Sequence, residues 1–270
     1  MKLVIKHNDK TYKLDSKYSS DISIPYNFNG PQPNFYNVEP GTLKPLKIKN
    51  KLFSVKHGMS CNVFEAKFNI HCTGTHTECV GHLTEHNISV SKCINNIFFP
   101  TLLLTIAPIN FSDCSDKYHI KINNNELVID KKSLQSSFEH LKIFKPEALV
   151  IRTTPNPKNK QFYSYSKNTP PFFTNDAIQF LIKQNIKHLI VDLPSIDRMD
   201  DDGILGNHRI FWGQNNITNG KINLKSKKTI TELAYIDNFF KDGFYFLNIS
   251  IPNFQCDAAP SRPILFSPIY

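Results

Sequence analysis

A chain of 270 residues with 40% hydrophobic and 20% charged side chains is long enough to bury a sizeable core and has the composition of an ordinary globular protein. No apolar run approaches the roughly 20 residues of a membrane-spanning helix, and the first residues lack a continuous apolar signal core, so a cytoplasmic protein with no membrane partner is expected. The net charge of +9 comes from lysines spread over the whole sequence, with short runs only at KPLKIKNK (44–51) and KINLKSKK (221–228); this reads as a solvated basic surface, not a groove for nucleic acid.

The first predicted element is a hairpin, because MKLVIKHNDKTYKL reads as strand, turn at Asn8-Asp9, and strand. DISIPYNFNGPQPNFYNVEPGTLKP (21–45) is rich in Pro, Asn and aromatics and should run as an ordered surface loop. FSVKHGMSCNVFEAKFNIHC (53–72) alternates apolar and polar residues, which predicts a strand leading into the stretch that follows. TLLLTIAP (101–108) and PEALVIRTT (146–154) are short β-like runs. In TNDAIQFLIKQNIKHLIVDLPSID (174–197), Thr174 or Asn175 caps a helix whose apolar face includes Ile178, Leu181 and Ile182. Gln184-Asn185 closes that helix, and Leu189, Ile190 and Val191 form a buried strand ending in Asp192, Pro194, Ser195 and Asp197. TITELAYI (229–236) and GFYFLNISI (243–251) add two more strands. Strands outnumber helices, and no repeat or long linker divides the chain. The expected fold is mixed α/β (α+β), a single compact strand-built domain over residues 1–270 with flanking helices.

The densest chemistry lies in HCTGTHTECVGH (71–82), which holds three of the ten histidines, a glutamate and two of the six cysteines. His76 and Glu78 are two apart, so on an extended backbone both side chains leave the same face. His71 lies five before His76, an odd offset that a regular strand would send to the other face. Gly74 tolerates the positive φ or the bulge that would bring it round. Thr73 and Thr75 can hydrogen-bond backbone or a ligand carboxylate, and His82, just after Gly81, converges from the start of the next element. Imidazole with carboxylate suits Zn²⁺ or Mn²⁺, and a carboxylate can bridge two ions.

These residues resemble the H-x-G-T-H-x-D-x-P-x-H signature of the cyclase family of metal-dependent hydrolases, which includes the bacterial kynurenine formamidases and isatin hydrolases. The likeness runs on through DISIP (21–25), similar to an opening D-L-S-x-P strand, and VDLPSID (191–197), similar to a D-T-P-S-V-D strand end. GNHRIFWG (206–213) supplies a downstream histidine, TITEL (229–233) a strand glutamate, and DAAPSRPIL (257–265) resembles a D-x-S-P-x-R ending. The resemblance implies a fold of the swivelling β/β/α type. It further implies His71, His76, Glu78, His208 and Glu232 as ligands of one or two divalent ions, Glu78 bridging, with His82 as general acid/base. Phe35 and Tyr36 fall where the family's loop offers an aromatic to the substrate, and a homodimer or higher homo-oligomer is implied as well.

Three departures stand out. Glu78 replaces the usual Asp, Val80-Gly81 replaces a Pro, and the first histidine falls one residue early, leaving Cys72 at the family's position. Either His71 or Cys72 fits as first ligand, with imidazole the better match. Glu232 lies 24 positions after His208, so an inserted loop over QNNITNGKINLKSKK is assumed; Asn219 is the fallback alignment and a poorer ligand.

Competing patterns are weaker. HLTEH (82–86) fits the H-x-x-E-H peptidase pattern, which needs a helix, yet the following NISVSKC is β-branched and helix-poor. Cys79 reads as structural, and the cysteines, irregularly spaced with no C-x-x-C pair, read mostly as small buried residues. Trp212 is expected in the core beside His208; His7, His57, His119, His140 and His188 lack motif context. The chemistry expected is metal-dependent hydrolysis of a small aromatic amide, N-formyl or cyclic. Another hydrolase or dehydratase on the same fold, or a non-catalytic metal- or nucleic-acid-binding protein, remains open.

Overall fold

The computed structural model describes residues 1–214, 217 and 220–269. The chain opens with the expected hairpin, β1 (Lys2–His7) and β2 (Lys10–Asp21). His7 pairs with Lys10, which leaves Asn8 and Asp9 as a two-residue loop, both at positive φ (47° and 58°), the geometry that matches strand twist. Eight further strands join this hairpin: β3 (His76–Cys79), β4 (Phe99–Ile106), β5 (Ala148–Thr153), β6 (His188–Val191), β7 (Thr229–Glu232), β8 (Gly243–Ser250), β9 (Ala258–Pro260) and β10 (Arg262–Ile269). Together they form one ten-stranded sheet in the order β1-β2-β10-β8-β4-β5-β6-β7-β3-β9.

The middle of that sheet is parallel, from β4 through β5 and β6 to β7. Each crossover carries a helix: α1 (Lys131–Glu139), α2 (Asn175–Lys183) and α3 (Gly206–Phe211), as parallel neighbours require. Both flanks are antiparallel; on one side β7 pairs with β3 and β3 with β9.

Strands covered on both faces need uninterrupted apolar runs, and β5 and β6 are buried along their whole length. Alternation then sends Leu149, Ile151, Leu189 and Val191 to a core shared with the helices. Val150 and Ile190 go to a second core on the opposite face, with Ile22, Ile236 and Leu247. Helix α2 begins as expected, with the Thr174 hydroxyl accepting from the Ala177 N–H at 3.1 Å. Gln184 closes it and Asn185 turns at φ 60°.

The sequence misled in two places. Residues 53–72 are not one strand: a short 3₁₀ turn covers Val55–His57, and Phe64–Lys67 pairs with Thr42–Pro45 in an exposed ribbon off the main sheet. Helix α1 is absent from the sequence reading because only Leu134 and Phe138 are buried along it. Its start is set by Asp130, which accepts from the Lys132 and Ser133 N–H groups. The fallback position Asn219 lies outside the described residues. Of the cysteines, Cys72, Cys79 and Cys93 are buried, Cys114 and Cys256 half-buried and Cys61 exposed, so burial accounts for fewer of them than expected.

Candidate metal centre

Strand pairing assembles the floor of the site. Glu232 ends β7 directly opposite His76, which begins the antiparallel β3, and Glu78 follows on the same face of β3. A turn before β3 brings in His71, the 3₁₀ turn Val80–Leu83 brings in His82, and α3 presents His208. All five residues expected as ligands therefore converge, together with His82.

The contacts within this group are close. Glu78 Oε1 lies 2.9 Å from His208 Nε2, and its Oε2 lies 3.1 Å from His71 Nδ1 and 3.9 Å from His82 Nε2. Glu232 Oε1 is 3.5 Å from His208 Nε2, and Oε2 is 3.6 Å from His76 Nε2. His76, Glu78, His208 and Glu232 are all buried. His71, His76 and Glu78 form one group with ligand geometry; Glu78, His208 and Glu232 form another. Glu78 is common to both, the position of a bridging carboxylate.

Two buried atoms in this cluster lack a hydrogen-bond partner, His76 Nε2 and Glu78 Oε1. His76 Nδ1 faces the Gly74 carbonyl at 3.1 Å, so in the tautomer that donates there Nε2 turns a lone pair inward. His208 Nδ1 lies 2.7 Å from Asp197 Oδ2, and donation along that bond leaves the Nε2 lone pair facing Glu78. Two acceptors at that distance call for a cation or a proton between them. The donor set, imidazole nitrogens and carboxylate oxygens, fits a divalent ion such as Zn²⁺ or Mn²⁺.

The electrostatics agree. Burial lowers His76 to about 4, leaving it a neutral base. Burial also works against charge on His71, but Asp257 and Glu78 outweigh it and push the ring up to about 10. Burial and the neighbouring Glu78 raise Glu232 above the ordinary carboxylate range. Glu78 and Asp257 thus draw positive charge onto a neighbouring ring.

Support comes from further out. Asp197 accepts from Tyr118 Oη and the Asn207 N–H on one oxygen, and from the His208 N–H and Nδ1 on the other. It thereby fixes the orientation of the His208 ring. Asp257 was missed as a site residue: its Oδ2 lies 3.2 Å from both His71 Nε2 and His82 Nδ1. The only sequence signal was its place at the head of the DAAPSRPIL ending. Gly81 permits this approach, because a Cβ there would stand 3.0 Å from Asp257 Cβ and 2.4 Å from the Ile88 carbonyl.

Two expectations about the motif need correction. Gly74 has no positive φ and makes no bulge; it is small because the Tyr26 ring packs on it, where a Cβ would lie 2.7 Å from a ring carbon. His71 reaches the site from the preceding turn, so strand parity does not apply to it. Thr73 and Thr75 donate to the Asn69 and Leu233 carbonyls and brace backbone, not ligands. Cys72 packs with Ile24, Phe35 and Leu233, and burial pushes its thiol up to about 11, which leaves His71 as the residue in reach of Glu78.

The other patterns resolve as well. Thr84 is extended and His86 exposed, so HLTEH is no helix and the peptidase reading falls. Cys79 points away from Glu78, and its Sγ lies 3.6 Å from the Ile88 carbonyl. Trp212 is buried with its ring 5.4 Å from that of His208. His188, outside any motif, is buried against Phe99 and bonds Thr229. His119 sits beside Asp201 and Asn175, a polar cluster the sequence did not reveal.

The centre opens into a cleft of about 580 Å³. Phe35 and Tyr36 both line it, Phe35 buried and Tyr36 exposed, and the Tyr36 hydroxyl donates to the Met199 carbonyl at 2.7 Å.

Known proteins share this arrangement of elements. The chain is 27% identical over 196 residues to a kynurenine formamidase of Bacillus cereus, covering 71% of this chain and 76% of that one. It superposes on a predicted metal-dependent hydrolase from Bacillus stearothermophilus with a TM-score of 0.59 at 18% identity, covering 92% and 97% of the two chains. Isatin hydrolase A from Ralstonia solanacearum gives a TM-score of 0.60 at 12% identity, covering 92% and 91%. The Cyclase family model matches residues 20–198, a span that includes the whole histidine-rich stretch and the Asp197 that supports His208. The chain belongs to the cyclase family.

Proposed function

We propose that this protein is a metal-dependent hydrolase of a small non-peptide amide, of the arylformamidase type, acting on an N-formyl or cyclic amide attached to an aromatic ring. The observation that carries the reading is the buried convergence of His76, Glu78, His208 and Glu232 around two atoms without hydrogen-bond partners. The likeness to kynurenine formamidases supports the substrate class.

His71, His76, Glu78, His208 and Glu232 would hold one or two ions, Zn²⁺ or Mn²⁺, with Glu78 shared between the two positions. A divalent ion, when bound, supplies Lewis acidity that polarises the carbonyl and acidifies water. His82 carries the proton: it takes one from the attacking water and delivers it to the nitrogen as the C–N bond breaks. Asp257 orients the ring, since the Nδ1 contact at 3.2 Å aims Nε2 toward Glu78 and the reacting centre. Asp197 fixes His208 in the same manner. Phe35 and Tyr36 form an aromatic wall for the substrate ring. We further place the protein in the cytoplasm, as one domain over residues 1–270 that assembles as a homodimer or larger homo-oligomer.

The decisive experiment is metal analysis of the purified protein with hydrolysis of N-formyl and cyclic aryl amides before and after chelation. Stoichiometric Zn²⁺ or Mn²⁺, with activity lost on chelation and restored by the ion, is expected. Full hydrolysis by metal-free protein would overturn the reading.

A further inference from the structure

We infer that His119 is a positioning residue for the metal centre: together with Tyr118 it sets where helix α3 begins, and so where His208 points. The inference rests on the functional reading above and concerns how one of its proposed ligands is held. Helix α3 is short, Gly206–Phe211, and carries His208 in its first turn. The residue before it, Leu205, stands at φ 52° with a hydrocarbon side chain that cannot accept from the helix start. Two carboxylates from the preceding loop take that role. Asp201 Oδ2 accepts from the Leu205 N–H at 2.6 Å, and Asp197 accepts from the Asn207 and His208 N–H groups at 2.8 and 3.1 Å.

Consecutive residues from a distant segment hold those two carboxylates. Tyr118 Oη donates to Asp197 at 3.1 Å, and His119 Nε2 lies 3.4 Å from Asp201 Oδ2. The Asn175 amide nitrogen faces His119 Nδ1 at 3.2 Å and donates to Asn207 Oδ1 at 2.7 Å. With Nδ1 accepting there, the ring hydrogen sits on Nε2 and points at Asp201. The ring also lies against the first residue of α3, since a Cβ at Gly206 would stand 2.3 Å from Nδ1. His119 thus grips the helix start by ring contact, through Asp201 and through Asn175. His119, Asp197 and Asp201 offer atoms within 4.8 Å of one another, a spacing that would suit an ion. Protein hydrogens already fill it: Asp197 accepts from Tyr118, Asn207 and His208, and Asp201 Oδ2 from Leu205 and His119. The group therefore caps a helix.

The test titrates metal-free, full-length protein with Zn²⁺ against a chromophoric chelator. His119→Phe keeps a ring beside Gly206 and removes the donor to Asp201. Its Zn²⁺ affinity is expected to fall about tenfold, the lower end for a residue that orients a ligand. His119→Gln, whose amide can donate from the Nε2 position, should return affinity to within about threefold of the parent. Leu134→Ala, a cavity in the core beside α1, is the control for plain destabilisation: it should lower the thermal midpoint and leave Zn²⁺ affinity unchanged. In the Asp201→Asn background, His119→Phe should cost little further affinity. If His119→Phe does not fold, His119→Asn, too short to reach Asp201, is read in its place. Parent-like affinity without the donor, no recovery in His119→Gln, or an equal loss in Leu134→Ala overturns the inference. A parent protein that takes up no Zn²⁺ overturns the functional reading itself, and the inference with it.

Discussion

Replacing Gly81 by alanine isolates the contact between the two ends of the chain at this site. Gly81 is not at positive φ, so alanine meets no backbone strain and the cost is steric. The new Cβ would stand 2.4 Å from the Ile88 carbonyl oxygen and 3.0 Å from Asp257 Cβ, against ordinary carbon contacts of about 3.5–4.0 Å. Both neighbours are anchored. Ile88 precedes Val90, whose N–H donates to the Cys256 carbonyl at 2.9 Å, and the Asp257 carbonyl accepts from the Cys79 N–H at 3.0 Å. Overpacking of this kind costs about 1–3 kcal/mol, measurable as a shift in thermal or denaturant midpoint. Its functional effect follows from geometry: the Asp257 contacts to His71 and His82 are already 3.2 Å long. A displacement of a few tenths of an ångström breaks them. We expect kcat to fall by about 10–100-fold, the usual worth of an orienting partner, with bound metal retained. The assay is a double-mutant cycle with Asp257→Asn, in which Gly81→Ala should cost little more activity once Asp257 is gone. Fully additive losses in kcat would refute the argument that Gly81 acts through Asp257.

Other outcomes follow from the same contacts. His82→Ala should keep metal and fold while losing about 10²–10⁴-fold in kcat, less for a substrate with a better leaving group; a protein emptied of metal would make His82 a ligand instead. His76→Ala and Glu232→Gln should lose or weaken metal and activity together, and unchanged metal content in both would sink the site as drawn. Asp197→Asn places an amide against buried donors whichever way it turns; metal affinity should drop about 10–100-fold, and an unaltered titration would contradict the role given to Asp197. Burial lowers His188 to about 4, below its unfolded value. Its neutral form therefore contributes stability in full above about pH 6.5 that is lost as pH falls toward 4, at most about 3 kcal/mol. Unfolding free energies of His188→Leu should show a flatter acid limb than the parent, and parallel curves would dismiss the effect.

Much of the fold could be read along the chain because it depends on local pattern. The apolar runs that became β4, β5 and β6 are continuous because both faces are covered, and α2 announces itself through Thr174 and its apolar face. The pair His76 and Glu78 was legible for the same reason, since a period of two is a property of any strand. What escaped depends on distant partners. The reason for Gly74 is the ring of Tyr26, and the reason for Gly81 is Asp257. His82 and Asp257 meet across a separation of 175 residues, and no local spacing encodes such a contact. His208 and Glu232 were placed by resemblance, not by periodicity.

The site occupies one of the two places where strand direction reverses beside the parallel block. Strands β6 and β7 both run toward it, ending in the Asp192–Asp197 segment and in Glu232, while the antiparallel β3 starts there with His76. Carboxyl ends of parallel strands are where such sheets place their loops and bind ligands. The reversal adds a second supply of side chains, because the amino-terminal end of β3 delivers His76 and Glu78 to the same edge. Register is therefore a functional variable here. A one-residue slip of β7 against β3 would turn Glu232 to the opposite face, away from His76 and His208. The Thr77–Thr231 hydroxyl pair, 2.7 Å apart between the same two strands, holds that register from the other face of the sheet. Chemistry on one face of β3 and β7 thus depends on a hydrogen bond that never touches the site.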